Sequence, residues 1–248
     1  LDKGINDLTY QIVKYRNRNN WTHKDVLRLA HTNTNKESYN NLFRWIVENE
    51  NKILPTYIIP QLLTDFITLQ NLENVNQVVD LLNKNRSLSW EMIPTQFLSE
   101  KKVWETLLTF LPLTALIRNL ARMTANETLK PFSDNINIVK ERLNKEYIKA
   151  SRVHPLTILS ALMTYKSGHG QRGKLSWNPI PQVSDILDDA FYLAFDNIEP
   201  TDKKYMLAID VSSSMTLGNV SGLLGIAPNV AAATMAMVTA KTEKNYFI

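Results

Sequence analysis

Apolar residues recur at three- and four-residue spacing from Ile5 to about Ser167, as in Val26, Leu27 and Ala30 and again in Leu107, Leu108 and Leu111. That is the period of an amphipathic helix, not the alternation of a half-buried strand. Glycine is nearly absent over the same stretch. The pattern predicts a curved stack of antiparallel helices with no strand before residue 200. Thr22, and Ser99 ahead of Lys101 and Lys102, stand where helix caps are expected. Pro55, Pro60, Pro94, Pro112, Pro131 and Pro155 punctuate the stretch at intervals suited to helices joined by short turns. No fixed-period repeat is visible, but HEAT-type repeats are degenerate and need not show one.

The pattern breaks at residues 166–179, where three glycines fall within six positions, and this segment is predicted to be a loop. A further helix is expected over residues 183–195, followed by a linker at 197–202. Residues 205–209 form a short continuous apolar run, as expected of a buried parallel strand ending on Asp210. A glycine-containing loop, a buried helix over 229–240 and a second apolar run from Asn245 complete a strand–loop–helix–strand order, the opening of an α/β domain. One strand pair and one helix cannot cover both faces of a parallel sheet. The fold class expected is therefore mainly α, with HEAT-like antiparallel helical repeats over 1–196 and an incomplete α/β domain over 203–248.

Composition narrows the chemistry. With 44% hydrophobic and 21% charged residues the chain has the make-up of a globular protein. It has no cysteine, which removes disulfides, thiolate zinc sites and cysteine nucleophiles and fits a reducing cytosolic or nuclear compartment. No apolar run approaches the roughly 18 residues of a membrane span, and no signal-peptide layout opens the chain. The net charge of +4 is unevenly spread: residues 118–174 hold 11 Lys/Arg against 4 Asp/Glu, and the rest hold 17 against 20. A local excess of that size is the footprint of a polyanion partner, with a solvated basic helix face as the alternative.

Four groups of residues carry candidate chemistry. Asp210, Ser212 and Ser214 form a DxSxS loop at the carboxyl end of a predicted strand, where α/β sheets place ligands. Their oxygens suit a hard divalent cation such as Mg²⁺. The alternative is a serine-rich loop capping a helix, and with no later ligand loops in the chain any metal binding is expected to be weak. Lys166, His169, Arg172 and Lys174 bring three cations and an imidazole onto a glycine-rich segment with Trp177 behind. Cations neutralise phosphates, and His or Trp can stack on bases; a charged hinge is the competing reading. Arg118 and Arg122 fall four apart on one helix face, with Leu116, Leu120 and Met123 on another. Arg suits bidentate phosphate recognition. Arg152 and His154 precede Pro155, and His154 reads first as a capping residue and second as an RNA contact. GHGQRG at 168–173 follows no strand and is not a dinucleotide fingerprint. There is no HExxH or P-loop, and Ser212 has no evident His partner, so no catalysis is expected.

The segments KYRNRNNWTHKDVLRLAH (14–31), FLPLTALIRNLARMTAN (110–126), SRVHPLTILSALMTYKSGHGQRGKLSW (151–177), YMLAIDVSSSM (205–215) and VAAATMAMVTAKTEK (230–244) resemble the Ro ribonucleoprotein autoantigen family and its TROVE module. The resemblance implies a ring of HEAT-like helices closed by a von Willebrand factor A-like domain. It implies Y RNAs on an outer basic surface and single-stranded ends of misfolded small RNAs in a central hole. It places Arg118 and Arg122 on the RNA-facing helix and His169 with its basic neighbours on the Y RNA surface. Residues 32–100 match the family loosely. The resemblance also implies that the N-terminal part of the ring is lacking and that the chain ends inside the second domain. A non-enzymatic RNA-binding scaffold is expected, with neither membrane nor DNA as partner. The rival is a protein-interaction module holding a partner's acidic group through a bound cation.

Overall fold

The computed structural model describes residues 4–48, 58–170, 173–223 and 225–248. The chain divides into two compact units, residues 1–110 and 111–248. In the first, the helices are α1 (Ile5–Lys14), α2 (His23–Ala30), α3 (Glu37–Glu48), α4 (Gln61–Gln70), α5 (Val75–Lys84) and α6 (Lys101–Leu108). The second holds α7 (Leu113–Ala125), α8 (Asp134–Arg142), α9 (Lys145–Ser151), α10 (Pro155–Ser167), α11 (Pro181–Leu193) and α12 (Pro228–Thr242). The expected helical class is what forms, and the prolines show why the helices start where they do. Pro60 and Pro112 sit at N-caps, and Pro155, Pro181 and Pro228 occupy the first turn, where the missing N–H has no intrahelical partner to lose.

Thr22 caps α2 as predicted: its hydroxyl accepts from the Asp25 amide at 3.3 Å and the Asp25 carboxylate accepts from the Thr22 amide at 2.9 Å. This reciprocal box satisfies two otherwise orphaned donors. Ser99 does not cap α6, because its hydroxyl donates to the Gln96 carbonyl within a preceding 3₁₀ turn. The expectation of no strand before residue 200 is overturned by a small antiparallel hairpin. Strand β1 (Asn17–Arg18) pairs with β2 (Trp21–Thr22). Asn19 and Asn20 have φ of 52° and 65°, the paired left-handed conformation of a two-residue primed turn. Asn tolerates it because its short amide can bond locally.

In the second unit α10 packs against α7 and α11, and α11 against α8 and α9. The core is built from Leu116, Leu120 and Met123 of α7, Ile158 and Leu162 of α10, and Val183 and Leu187 of α11, all at most 3% exposed. At its centre Tyr165 is a hub. Its hydroxyl bonds the Thr124 hydroxyl at 2.9 Å and accepts from the Ile180 amide at 3.2 Å, while its carbonyl accepts from Trp177 Nε1 at 2.9 Å. Asn197 ties the turn after α11 to α9 by donating to the carbonyls of Ile148 and Val153.

The loop between α7 and α8 carries Phe132 at φ 60° and 91% exposed. A left-handed conformation costs an L-residue about 1–2 kcal/mol, and no burial of the ring offsets it. Phe132→Gly relieves that strain and gives back about 0.5–1 kcal/mol as backbone entropy. A net gain of up to about 1 kcal/mol is expected, readable as a higher denaturation midpoint; a lower midpoint would show that the ring makes stabilising contacts.

Beyond α11, β3 (Lys204–Met206) and β4 (Asn245–Phe247) pair in parallel, with α12 between them in sequence. The strand–loop–helix–strand order is as predicted, but the burial is not. Tyr205 is half-buried, Met206 is 80% exposed, and β3 ends at Met206 instead of reaching Ile209. Nor is α12 buried all round: Thr234, Ala236 and Val238 are covered, while Met235 and Met237 are 44% and 40% exposed. Glu243, just past α12, accepts from the amide and hydroxyl of Thr201 and so anchors the linker that precedes β3.

Candidate nucleic-acid interface

The predicted basic residues described here lie in the second unit, on elements whose other faces are fixed by the core. On α7, burial of Leu116, Leu120 and Met123 leaves Arg118 exposed and Arg122, one turn on, half-buried. The predicted spacing therefore places both guanidinium groups on one side of the helix. Arg118 has no ion-pair or hydrogen-bond partner among the described residues, so its donors are available to a ligand. It stands at the edge of a cavity of about 320 Å³ between α7 and α10, lined also by Ala121, Thr157, Ser160, Ala161 and Thr164 and bounded by Leu223. The hydroxyl stripe at 157, 160 and 164 escaped the sequence reading, although its helical spacing is visible there.

Lys166 belongs to α10 and not to the predicted loop, since the helix runs to Ser167. It is exposed and stands two residues beyond Thr164, about 200° round the helix, so it points away from the cavity. The helix stops at Gly168, with φ 73°. A Cβ there would lie 3.0 Å from the Trp177 carbonyl oxygen, which explains why only glycine fits. His169 then bridges to Ser176, and the Gly170 amide donates to the Leu175 carbonyl at 2.8 Å. This short antiparallel loop holds His169 and Lys174 exposed. Arg172 lies outside the described residues. Trp177 is not available to stack on a base: it is 8% exposed, with its ring 6.1 Å from that of Tyr165. The core claimed it because the loop needs an anchor.

Arg152 ends α9 in a left-handed conformation, φ 51°, and is exposed. His154 is the N-cap of α10, its Nδ1 accepting from the Leu156 amide at 3.2 Å. Burial lowers its pKa from the ordinary histidine value, which favours the neutral ring that can accept this bond. The structure thus gives His154 the capping role read first from the sequence.

In the DxSxS loop, Asp210 Oδ1 accepts from the Ser212 amide at 2.8 Å, and the hydroxyls of Ser212 and Ser214 are 3.0 Å apart. The backbone hydrogen bond from Ser212, then its side chain, holds the Asp210 carboxyl below the usual carboxylate range. Neighbouring ligands of an octahedral ion with bonds of about 2.0–2.1 Å are about 2.9 Å apart, a separation the two hydroxyls already have through the hydrogen bond between them. Among the described residues no group of three His, Cys, Asp or Glu side chains is placed to hold a metal. The donors fit part of a hard-cation site.

Residues 82–203 match the TROVE domain and residues 204–248 the Ro60 vWA domain. The chain is 35% identical over 242 residues to the RNA-binding protein RO60 of Deinococcus radiodurans, covering 96% of this chain and 45% of that protein. It is 34% identical over 259 residues to the RNA-binding protein RO60 of Caenorhabditis elegans, covering 86% and 40%. The crystal structure of the Deinococcus radiodurans RO (RSR) protein matches with a TM-score of 0.82 at 33% identity, over 98% of this chain and 49% of that one. The chain thus spans less than half the length of these relatives. The two matched domains, in this order, agree with the helices before residue 203 and the strand–helix–strand segment that follows them, and the chain belongs to the Ro family, with residues 82–203 in its TROVE domain and residues 204–248 in its Ro60 vWA domain.

Proposed function

We propose that this chain is a non-enzymatic RNA-binding scaffold for small noncoding RNAs. The RNAs envisaged are Y-like RNAs and misfolded RNAs with single-stranded 3′ ends, handled in ribonucleoprotein assembly or quality control in the cytosol or nucleus. The observation that carries the reading is the excess of 11 Lys/Arg over 4 Asp/Glu within residues 118–174, with Arg118, Arg152, Lys166, His169 and Lys174 exposed on well-packed elements. The relatives named as RNA-binding proteins support it. Cations fixed on rigid helices neutralise phosphates, and exposed imidazole or hydroxyl groups contact unpaired bases.

The second reading, a cation-dependent protein-interaction module, rests on the paired hydroxyls of Ser212 and Ser214 beside Asp210. Those three residues would hold Mg²⁺, which when bound would supply an open coordination position for a partner's carboxylate. One experiment separates the readings. Gel-shift titration with a structured RNA carrying a 3′ tail is expected to give an affinity that falls linearly with salt on logarithmic axes, by about 0.7–0.9 per phosphate contact, and that is indifferent to chelator. A salt-independent, chelator-abolished interaction with an acidic protein, and no RNA shift, would favour the second reading.

A further inference from the structure

We propose that the cavity between α7 and α10 receives one unstacked base of a single-stranded RNA, with an adjoining phosphate on Arg118. This rests on the RNA-binding reading and goes further by naming the residues that take a base. The cavity exists because two small residues, Ala121 and Ala161, line it where larger side chains would close it. Tyr165 cannot swing in to fill it, since its hydroxyl is held by both Thr124 and the Ile180 amide.

The lining specifies the ligand. Among the described residues Arg118 brings a positive charge without a partner and no carboxylate lines the space, so an anionic group is favoured at the edge. Ile117, Ala121, Ala161 and Leu223 offer an apolar wall. The half-buried hydroxyls of Thr157 and Thr164 have no hydrogen-bond partner among the described residues, and they stand seven residues, or about 10 Å, apart along α10. An apolar slot with hydroxyls along one side suits a flat group with polar edges. At about 320 Å³ it lies at the small end of ligand pockets, which run from roughly 300 Å³ upward, and so has room for one nucleotide. An apolar side chain of a protein partner would match the wall but leave Arg118 and both hydroxyls unmatched.

The test is a two-by-two comparison of hexauridylate and its fully abasic counterpart, which keeps every phosphate, on the intact protein and on Ala161→Leu. The intact protein should bind hexauridylate more tightly than the abasic strand. Filling the cavity should remove roughly 5- to 150-fold of that preference, the range for one recognised base, while leaving the salt slope unchanged because no phosphate contact is lost. Arg118→Ala should do the reverse, lowering the slope by about 0.7 and keeping the preference for bases. If Ala161→Leu alters the thermal midpoint, the near-isosteric pair Thr157→Val with Thr164→Val decides the matter, with most of the same preference expected to disappear. A base preference equally large in the filled and valine variants overturns the proposal while RNA binding stands. Failure of the intact protein to bind any RNA overturns both.

Discussion

Changing Arg118, Arg122, Arg172 and Lys174 together to Ala is expected to weaken binding of a Y-like or 3′-tailed RNA by about two orders of magnitude at 0.15 M salt. Each Lys or Arg on a phosphate contributes about 0.7 to the logarithmic salt slope for single strands, so four contacts make a slope difference of about 3. Between 1 M and 0.15 M salt that difference amounts to roughly 200-fold. The affinities of variant and parent should converge as salt rises toward 1 M, which a non-electrostatic defect would not produce. His169→Ala, by contrast, should lower affinity by a similar factor at every salt concentration, as loss of one stacked or hydrogen-bonded base does, at roughly 1–3 kcal/mol. Unchanged affinity and slope in a correctly folded fourfold variant would remove the RNA assignment from these residues.

Trp177→Ala should be the most damaging single change to the second unit, costing about 3–5 kcal/mol of stability. The ring is 8% exposed and packs against Tyr165, and its Nε1 satisfies the Tyr165 carbonyl near the end of α10. Truncation loses apolar burial, opens a void and removes one of the two donors to that carbonyl, which keeps only the Gly168 amide at 3.2 Å. The loop that presents His169 and Lys174 is held at its far end by the Trp177 amide on the Gly168 carbonyl, at 2.9 Å. For a unit of this size each kcal/mol shifts the midpoint by about 3–4 °C, so thermal unfolding should move down by roughly 10–20 °C. Trp177→Phe keeps most of the volume and loses the indole donor, and should cost only about 1–3 kcal/mol. A midpoint for Trp177→Ala within about 2 °C of the parent would show that the anchor lies elsewhere.

Much of this was legible because local physics decided it. The Thr22 box, the prolines at helix starts and the serine pair beside Asp210 depend on neighbours within a few residues, and sequence spacing reports those directly. The Asn17–Thr22 hairpin was missed because Asn19 and Asn20 carry no glycine, the usual mark of a primed turn, and two-residue strands leave no alternation to read. Residues 205–209 read as buried because an apolar run has no way of showing what covers it; in the structure it keeps Met206 open and stays regular only to that residue. Trp177 was offered as a base platform from its place behind a basic loop, but whether an aromatic faces solvent or core depends on Tyr165, twelve residues away. The α7–α10 cavity was hidden for a related reason: an absence of side-chain volume at Ala121 and Ala161 becomes a space only once two helices meet.

The prolines that open the helices also act where no contact can be drawn. Pro112, Pro155, Pro181 and Pro228 adopt a backbone angle the helix start already demands, so the folded chain gives up nothing for them. In the unfolded chain each ring removes conformations that would otherwise be sampled, an effect worth about 0.4–1 kcal/mol per compatible site. Across the second unit this amounts to roughly 2–4 kcal/mol, comparable with the loss of a large core side chain and located entirely in the disordered ensemble. Part of what keeps α7, α10, α11 and α12 folded is therefore the poverty of the alternatives open to the chain when they are not.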